Sequence, residues 1–415
     1  MREPSTPAPL STRARATTVG VLSGIQLLMA LIPFGIGALA PIVRDRFDLS
    51  RGEVGLATTA VFTSVALLSI PMGRLADGIG VARSLVAAGA LVAAATAGLA
   101  LAERFEVFLA LLLIVGVGYA AVTPATNKGI VRAVPARVRG RAMGIKQMGV
   151  TGGGMVAAAV LPATIQSVGW RPTLLTTGLA IGLLVWAGAG VYRQLVRDDT
   201  STPGAGARAA HGVATRRLLG LGVIIGLMIG AQHAVGTHLS LFLVDERAMT
   251  VTGAAAALTL LHSSGTAARL GWGYVSDRVP GGRWRTVGLI GSTSVGALIL
   301  LALVGRVLPA GPLIVLVVLL GVSTQAGNAV FQTALAEEDE ERAGRVSGIG
   351  MSIGFAGAIV APPTFGMAVD AAGSYTGPFL VVAGVVAAAT VAAFRLAPAP
   401  GPAAAIVSEV DGSLA

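Results

Sequence analysis

Lys128 and Lys146 are the only two lysines in a chain of 415 residues whose other basic residues are all arginines, and both stand in long apolar stretches. An ionisable side chain within an apolar span costs about 2.5–3.5 kcal/mol on insertion scales, which makes each one a functional candidate. Lys146 is the stronger of the two. It lies at least a turn inside a helix predicted from Ala142 and stands beside Gln147. Lys128 sits near the end of the preceding span, where its stem can snorkel toward the interface, and snorkelling is the competing reading for Lys146 too. Thr123, Thr126 and Asn127 add hydroxyl and amide groups, while Gly149, Gly152, Gly153 and Gly154 leave room for a small hydrated cavity. A cation among amides suits an anion, so Lys146, Gln147 and Asn127 are candidate substrate contacts.

Further along the chain, His233 follows Gln232, and His262 precedes Ser263 and Ser264. Either histidine titrates near neutral pH and is a candidate for proton coupling. The plainer alternative for each, and for His238, is a hydrogen-bonded packing role. Gln325, Asn328 and Gln332 follow one another at spacings of three and four, which predicts one helix face. Amides facing lipid would go unsatisfied, so that face is expected to line an interior cavity, with Gln26 as a further lining residue. Carboxylates keep to the edges of the apolar runs, as Asp45, Asp48 and Glu53 do on one side and Asp77, Asp277 and the stretch from Glu337 to Glu341 do on the other. Histidine coupling, anion exchange or facilitated flux remain open. No phosphate-binding loop, HExxH or metal-ligand cluster occurs, and cysteine is absent. The reading is therefore non-enzymatic, with no catalytic residue, metal or cofactor.

These groups must be positioned by membrane helices. Charged residues make up 12% of the chain, against about 25% in an average soluble domain, and the mean hydropathy is +0.79. The net charge of +10 does not point to nucleic acid, because the arginines lie between apolar runs rather than in a stripe beside aromatic residues. A lipid core of about 30 Å needs about 20 apolar residues as helix. Twelve such spans are predicted: 19–43, 53–73, 84–102, 106–129, 142–166, 173–193, 218–243, 252–274, 286–306, 311–333, 346–368 and 377–396. Arginines crowd the termini and every second loop, and the positive-inside rule makes that side cytoplasmic, with both termini on it. The predicted organisation is a cytosolic tail over 1–18, a six-helix half over 19–195, a cytosolic linker over 196–217, a second six-helix half over 218–397 and a disordered tail over 398–415.

The halves are related in sequence. Gly73-Arg74-Leu75-Ala76-Asp77 recurs as Gly273-Tyr274-Val275-Ser276-Asp277, in each case at the joint between the second and third spans. Arg141-Ala142-Met143-Gly144-Ile145 is echoed by Arg345-Val346-Ser347-Gly348-Ile349, Asn127 by Asn328, and Pro162 by Pro362. On these motifs the chain resembles the major facilitator superfamily from its first span to its twelfth. The family's loop motif stands here as Gly73, Leu75, Ala76, Asp77, Gly80 and Arg83, and again as Gly273, Asp277, Arg278, Gly282 and Arg283. Gly78, Val81 and Ala82 occupy positions where the family often has basic residues.

The resemblance implies an all-α fold of two pseudo-symmetric halves around a site near the midplane, worked by alternating access. It also implies a gating role for the repeated loops. There the glycines allow close helix packing, and the two aspartates meet a helix N-terminus or a neighbouring arginine. Solvated loop charges are the plain alternative. The glycine-rich fifth span resembles the antiporter motif of drug exporters but lacks its proline, so that motif is not assigned. The fourth and fifth spans look similar to those of bacterial anion carriers, including cyanate-type and organic-acid-type members. The expected protein is a monomeric carrier of a small organic or inorganic anion in a bacterial inner membrane, bound to no nucleic acid. Efflux of an amphipathic drug or metabolite is the alternative, with a transport-inactive sensor or scaffold behind it.

Overall fold

A backbone in lipid must satisfy its own hydrogen bonds, so the apolar runs fold as helices. The computed structural model describes residues 10–196, 215–279, 282–338 and 343–397. The first half comprises α1 (Thr12–Phe47), α2 (Arg51–Ile79), α3 (Val81–Leu99), α4 (Phe105–Ala133), α5 (Ala136–Val168) and α6 (Trp170–Leu195). The second comprises α7 (Thr215–Arg247), α8 (Val251–Arg278), α9 (Gly282–Val304), α10 (Ala310–Leu320), α11 (Asn328–Glu337), α12 (Ala343–Ala372) and α13 (Thr376–Leu396). Successive spans run in opposite directions, so α1 begins and α13 ends on one face of the bundle, the terminal face; the other is the distal face. Leu67, Leu179, Trp186, Val315 and Val381 are each more than 60% exposed, the belt of bare apolar side chains that lipid covers.

Three expectations change. The first helix starts at Thr12, where Ser11 accepts from the Ala14 amide, so residues 12–18 are helix and not tail. Residues 197–214 and 398–415 lie outside the described residues, and Thr215 already opens α7. The tenth span is not one helix: α10 passes into a π-helical turn at Gly321–Gln325 before α11 begins. Among the described residues, eleven of the spans are long and apolar enough to cross a bilayer, by length and composition alone. The exception is α8, whose polar content includes His262, Ser263, Ser264 and Arg269.

The internal repeat is written in the backbone. The described residues with left-handed φ form three pairs, Asp48 and Ala248, Gly80 and Gly282, and Gly169 and Gly373, at corresponding helix junctions of the two halves. Ser50 and Thr250 then cap α2 and α8 through the same side-chain bond to the third helical amide.

The halves meet where α1 packs on α7, α2 on α12 and α5 on α8. Two glycines set how closely. A Cβ on Gly37 would collide with the Gly236 carbonyl of α7, and one on Gly55 would come within 2.5 Å of the Pro363 nitrogen of α12. Small residues let membrane helices approach in this way. Polar bonds reinforce the seam: Thr58 and Thr237 hydroxyls lie 2.8 Å apart, Thr59 donates to the Ile359 carbonyl, and Ser240 donates to the Gly37 carbonyl.

Candidate functional site: a buried cation pair between the halves

Lys146 does not snorkel. Its side chain on α5 is 1% exposed, and its Nζ donates to Asn127 Oδ1 of α4 at 2.8 Å, joining two of the predicted contacts. Across the seam, Arg269 of α8 is 5% exposed and acts electrostatically on Lys146. Its Nη1 donates to the Gln147 carbonyl at 2.9 Å and its Nη2 to the Gln325 carbonyl at 3.1 Å, so one guanidinium touches both halves. Its Nε is buried without an acceptor. Among the described residues no carboxylate forms an ion pair with either cation. Gln147 thus contributes a backbone acceptor to Arg269, while Thr266 of α8 donates to Thr151 of α5 at 2.6 Å beside it.

Around the pair, Gln26 is fully buried; its Oε1 accepts from Thr126 at 3.2 Å and its amide lies beside the Tyr119 hydroxyl. His262 is buried with neither ring nitrogen bonded, and Arg269 acts on it electrostatically. His233 lies against the Phe62 ring at 4.2 Å and the Phe34 ring at 5.8 Å. The two histidines, with Gln232, Gln325, Thr58 and Thr237, line a cavity with room for about one water. His238 stands apart, bonded through Nε2 to the Pro362 carbonyl at 2.8 Å.

Two cavity expectations are corrected. The glycines of the fifth span do not leave space beside Lys146: a Cβ on Gly149 or Gly153 would strike the α1 backbone at Ser23 or Leu27, and Gly152 meets the Leu27 side chain. They serve the packing of α5 on α1, and only Gly154 faces inward, toward His262 and Phe34. Nor do Gln325, Asn328 and Gln332 share one continuous helical face, because the π-helical turn shifts the register between Gln325 and the other two. Gln325 exchanges amide contacts with Gln232 of α7, whereas Asn328 is half-buried with its Oδ1 unbonded, and Gln332 is half-buried on α11.

The repeated loops form ion pairs inside each half. Asp77 accepts from Lys128 of α4 at 2.7 Å, and among the described residues its partner is that lysine and neither a loop arginine nor a helix N-terminus. Asp277 accepts from Arg283 at 2.5 Å, and Arg283 reaches on to Glu337 at 2.9 Å. Arg83 is exposed, and Arg278 stacks on Tyr274. Close packing does not explain both glycines, since a Cβ on Gly73 would make ordinary contact with Pro124 and one on Gly273 would meet nothing.

The distal face is different. Asp245 of α7 accepts from Arg44 of α1 and Arg51 of α2, both at 2.7 Å, and from the Tyr375 hydroxyl at 2.8 Å. Asp370 of α12 accepts from the Gly52 amide at 2.9 Å and from Arg51 at 3.3 Å. These pairs tie the first half to the second. Sequence reading missed Arg269, Asp245 and Asp370. A signal for two of them was present: Asp245 repeats the position of Asp45 at the end of the first helix of its half, and Arg269 lies two turns after His262 on the same span.

The Major Facilitator Superfamily profile matches residues 22–362. A probable sulfoacetate transporter, SauU, of Cupriavidus necator is 24% identical over 400 residues, covering 89% of this chain and 91% of that one. A hexuronate transporter of Bacillus subtilis is 21% identical over 380 residues, covering 86% and 88%. Among solved structures, a bacterial homologue of the human lysosomal transporter Spinster, inward-facing and occupied, superimposes with a TM-score of 0.73 at 18% identity, covering 93% of this chain and 96% of that one. The fucose:proton symporter FucP of E. coli gives 0.65 at 17% identity, covering 93% and 100%. With two six-helix halves, the repeated loop motif and a profile match over most of its length, the chain belongs to the Major Facilitator Superfamily.

Proposed function

We propose that this multi-pass membrane protein is a secondary transporter of small organic anions, which bind between the halves at Lys146 and Arg269. The observation that carries the reading is a pair of buried cations, one from each half, with no carboxylate partner among the described residues. A buried charge left unpaired is strongly unfavourable, and an anion entering between the two relieves it. The relatives named for sulfoacetate and hexuronate, both anions, agree with this class. Asn127, Gln147, Gln26 and Gln325 surround the pair as positioning residues, with Asn328 and Gln332 following on α11.

In this proposal His262, unbonded and beside Arg269, carries proton coupling ahead of His233, which is packed between phenylalanines. The Asp77–Lys128 and Asp277–Arg283 pairs time the conformational exchange. The arginine-rich terminal face is cytoplasmic and the distal latch closes the site to the outside of a bacterial inner membrane, with the monomer as the working unit. The test is uptake into proteoliposomes of sulfoacetate, glucuronate, acetate and a hydrophobic cation, with and without a pH gradient. Anion uptake is expected, and Lys146→Ala or Arg269→Gln should lower it by about tenfold or more, since a charge-assisted contact contributes ~1.5–3 kcal/mol. Uptake of the hydrophobic cation alone would instead support drug efflux.

A further inference from the structure

We infer that the preferred substrate is a small dianion that places one negative charge against each half; this rests on the anion reading above. Lys146 belongs to the first half and Arg269 to the second, and both are at least 95% buried. The other titratable groups that act on Arg269 are His262 and Tyr119, side-chain types that carry no negative charge at neutral pH. With Lys146 protonated, as an anion beside it favours, a monoanion leaves one of two buried positive charges uncompensated, whereas a dianion balances both.

The unspent hydrogen-bonding capacity points the same way. Lys146 uses one of its donors on Asn127, and Arg269 Nε has no acceptor. Both are donors, and they come from α5 and α8, one from each half. A ligand that only accepts at both ends, a dicarboxylate or a sulfonate-carboxylate, satisfies them. The Arg269 bonds to the carbonyls of Gln147 and Gln325 act as its stand-in, bridging the halves with backbone oxygen.

The experiment is competition in proteoliposome counterflow at pH about 7.5, where carboxylates are ionised. Acetate and propionate serve as monoanions, and malonate, succinate and sulfoacetate as dianions. Dianions should compete at least about tenfold better than monoanions of similar size. Lys146→Gln, purified as a monodisperse protein, should shrink that ratio toward one while some monoanion competition remains. Equal competition by both classes in the wild type overturns the dianion assignment and leaves the anion reading standing, as does a ratio that Lys146→Gln leaves unchanged. Wild-type protein with which no anion of either class competes or is carried overturns the anion reading itself.

Discussion

Arg269 divides its guanidinium between two backbone carbonyls that belong to different halves, so any movement of one half against the other must break at least one of those bonds. A lysine at this position would keep the charge and lose the planar fork. Arg269→Lys is therefore expected to retain more anion uptake than Arg269→Met, which should lose about tenfold or more; equal uptake by both would show that the charge is not needed. His262→Gln should abolish accumulation driven by a pH gradient while anion counterflow continues, because counterflow needs no net proton movement. Undiminished gradient-driven uptake in that variant would move coupling to another group. Lys146 was legible in the sequence because lysine is so rare in the chain, and Asn127 because it shares a helix end with the other lysine. Arg269 was hidden among 30 basic residues, most of them at helix ends. Only the packing of α8 on α5 reveals that it sits inside.

At the scale of elements, the distal latch draws α1 and α2 onto α7 and α12 through Asp245, whose side chain is 14% exposed. Opening that face requires all of these charge-assisted bonds to part. Asp245→Asn should populate a distal-open state, and a cysteine placed at Thr58, whose hydroxyl now meets Thr237, should then react faster with an impermeant maleimide. Unchanged labelling would show that the latch does not hold the seam. Gly55→Leu should have a similar outcome for a steric reason, since α2 could no longer approach the α12 prolines. On the terminal face, Asp77→Asn removes the carboxylate that Lys128 meets and should slow turnover more than it weakens equilibrium binding. Normal turnover with much poorer affinity would contradict a gating role. The helices themselves were readable from hydropathy, because the bilayer fixes their length and forbids other structures. The break in the tenth span was not, since Gly321 and Gly327 are ordinary in a membrane helix, and the bonds of Gln325 to α7 and α8 at the π-helical turn are visible only in the fold. The glycines of α5 illustrate the same limit: their spacing shows a bare face, while only the fold shows that α1 fills it.

The whole molecule is a duplicated unit held shut unevenly. Paired left-handed residues at corresponding junctions show how closely the second half repeats the first in backbone, and the repeated loop motif marks that in the sequence. The ion pairs break the symmetry, crossing between halves on the distal face and staying within them in the motif loops. Between those faces lie Lys146 and Arg269, which have no carboxylate partner among the described residues. Radiolabelled anion counterflow in matched proteoliposomes of the wild type and the Lys146→Met, Arg269→Met double variant, both confirmed monodisperse, decides whether these cations carry transport. Rapid exchange is expected for the wild type, and none above protein-free vesicles for the double variant. Exchange by the double variant at the wild-type rate would show that neither cation is needed.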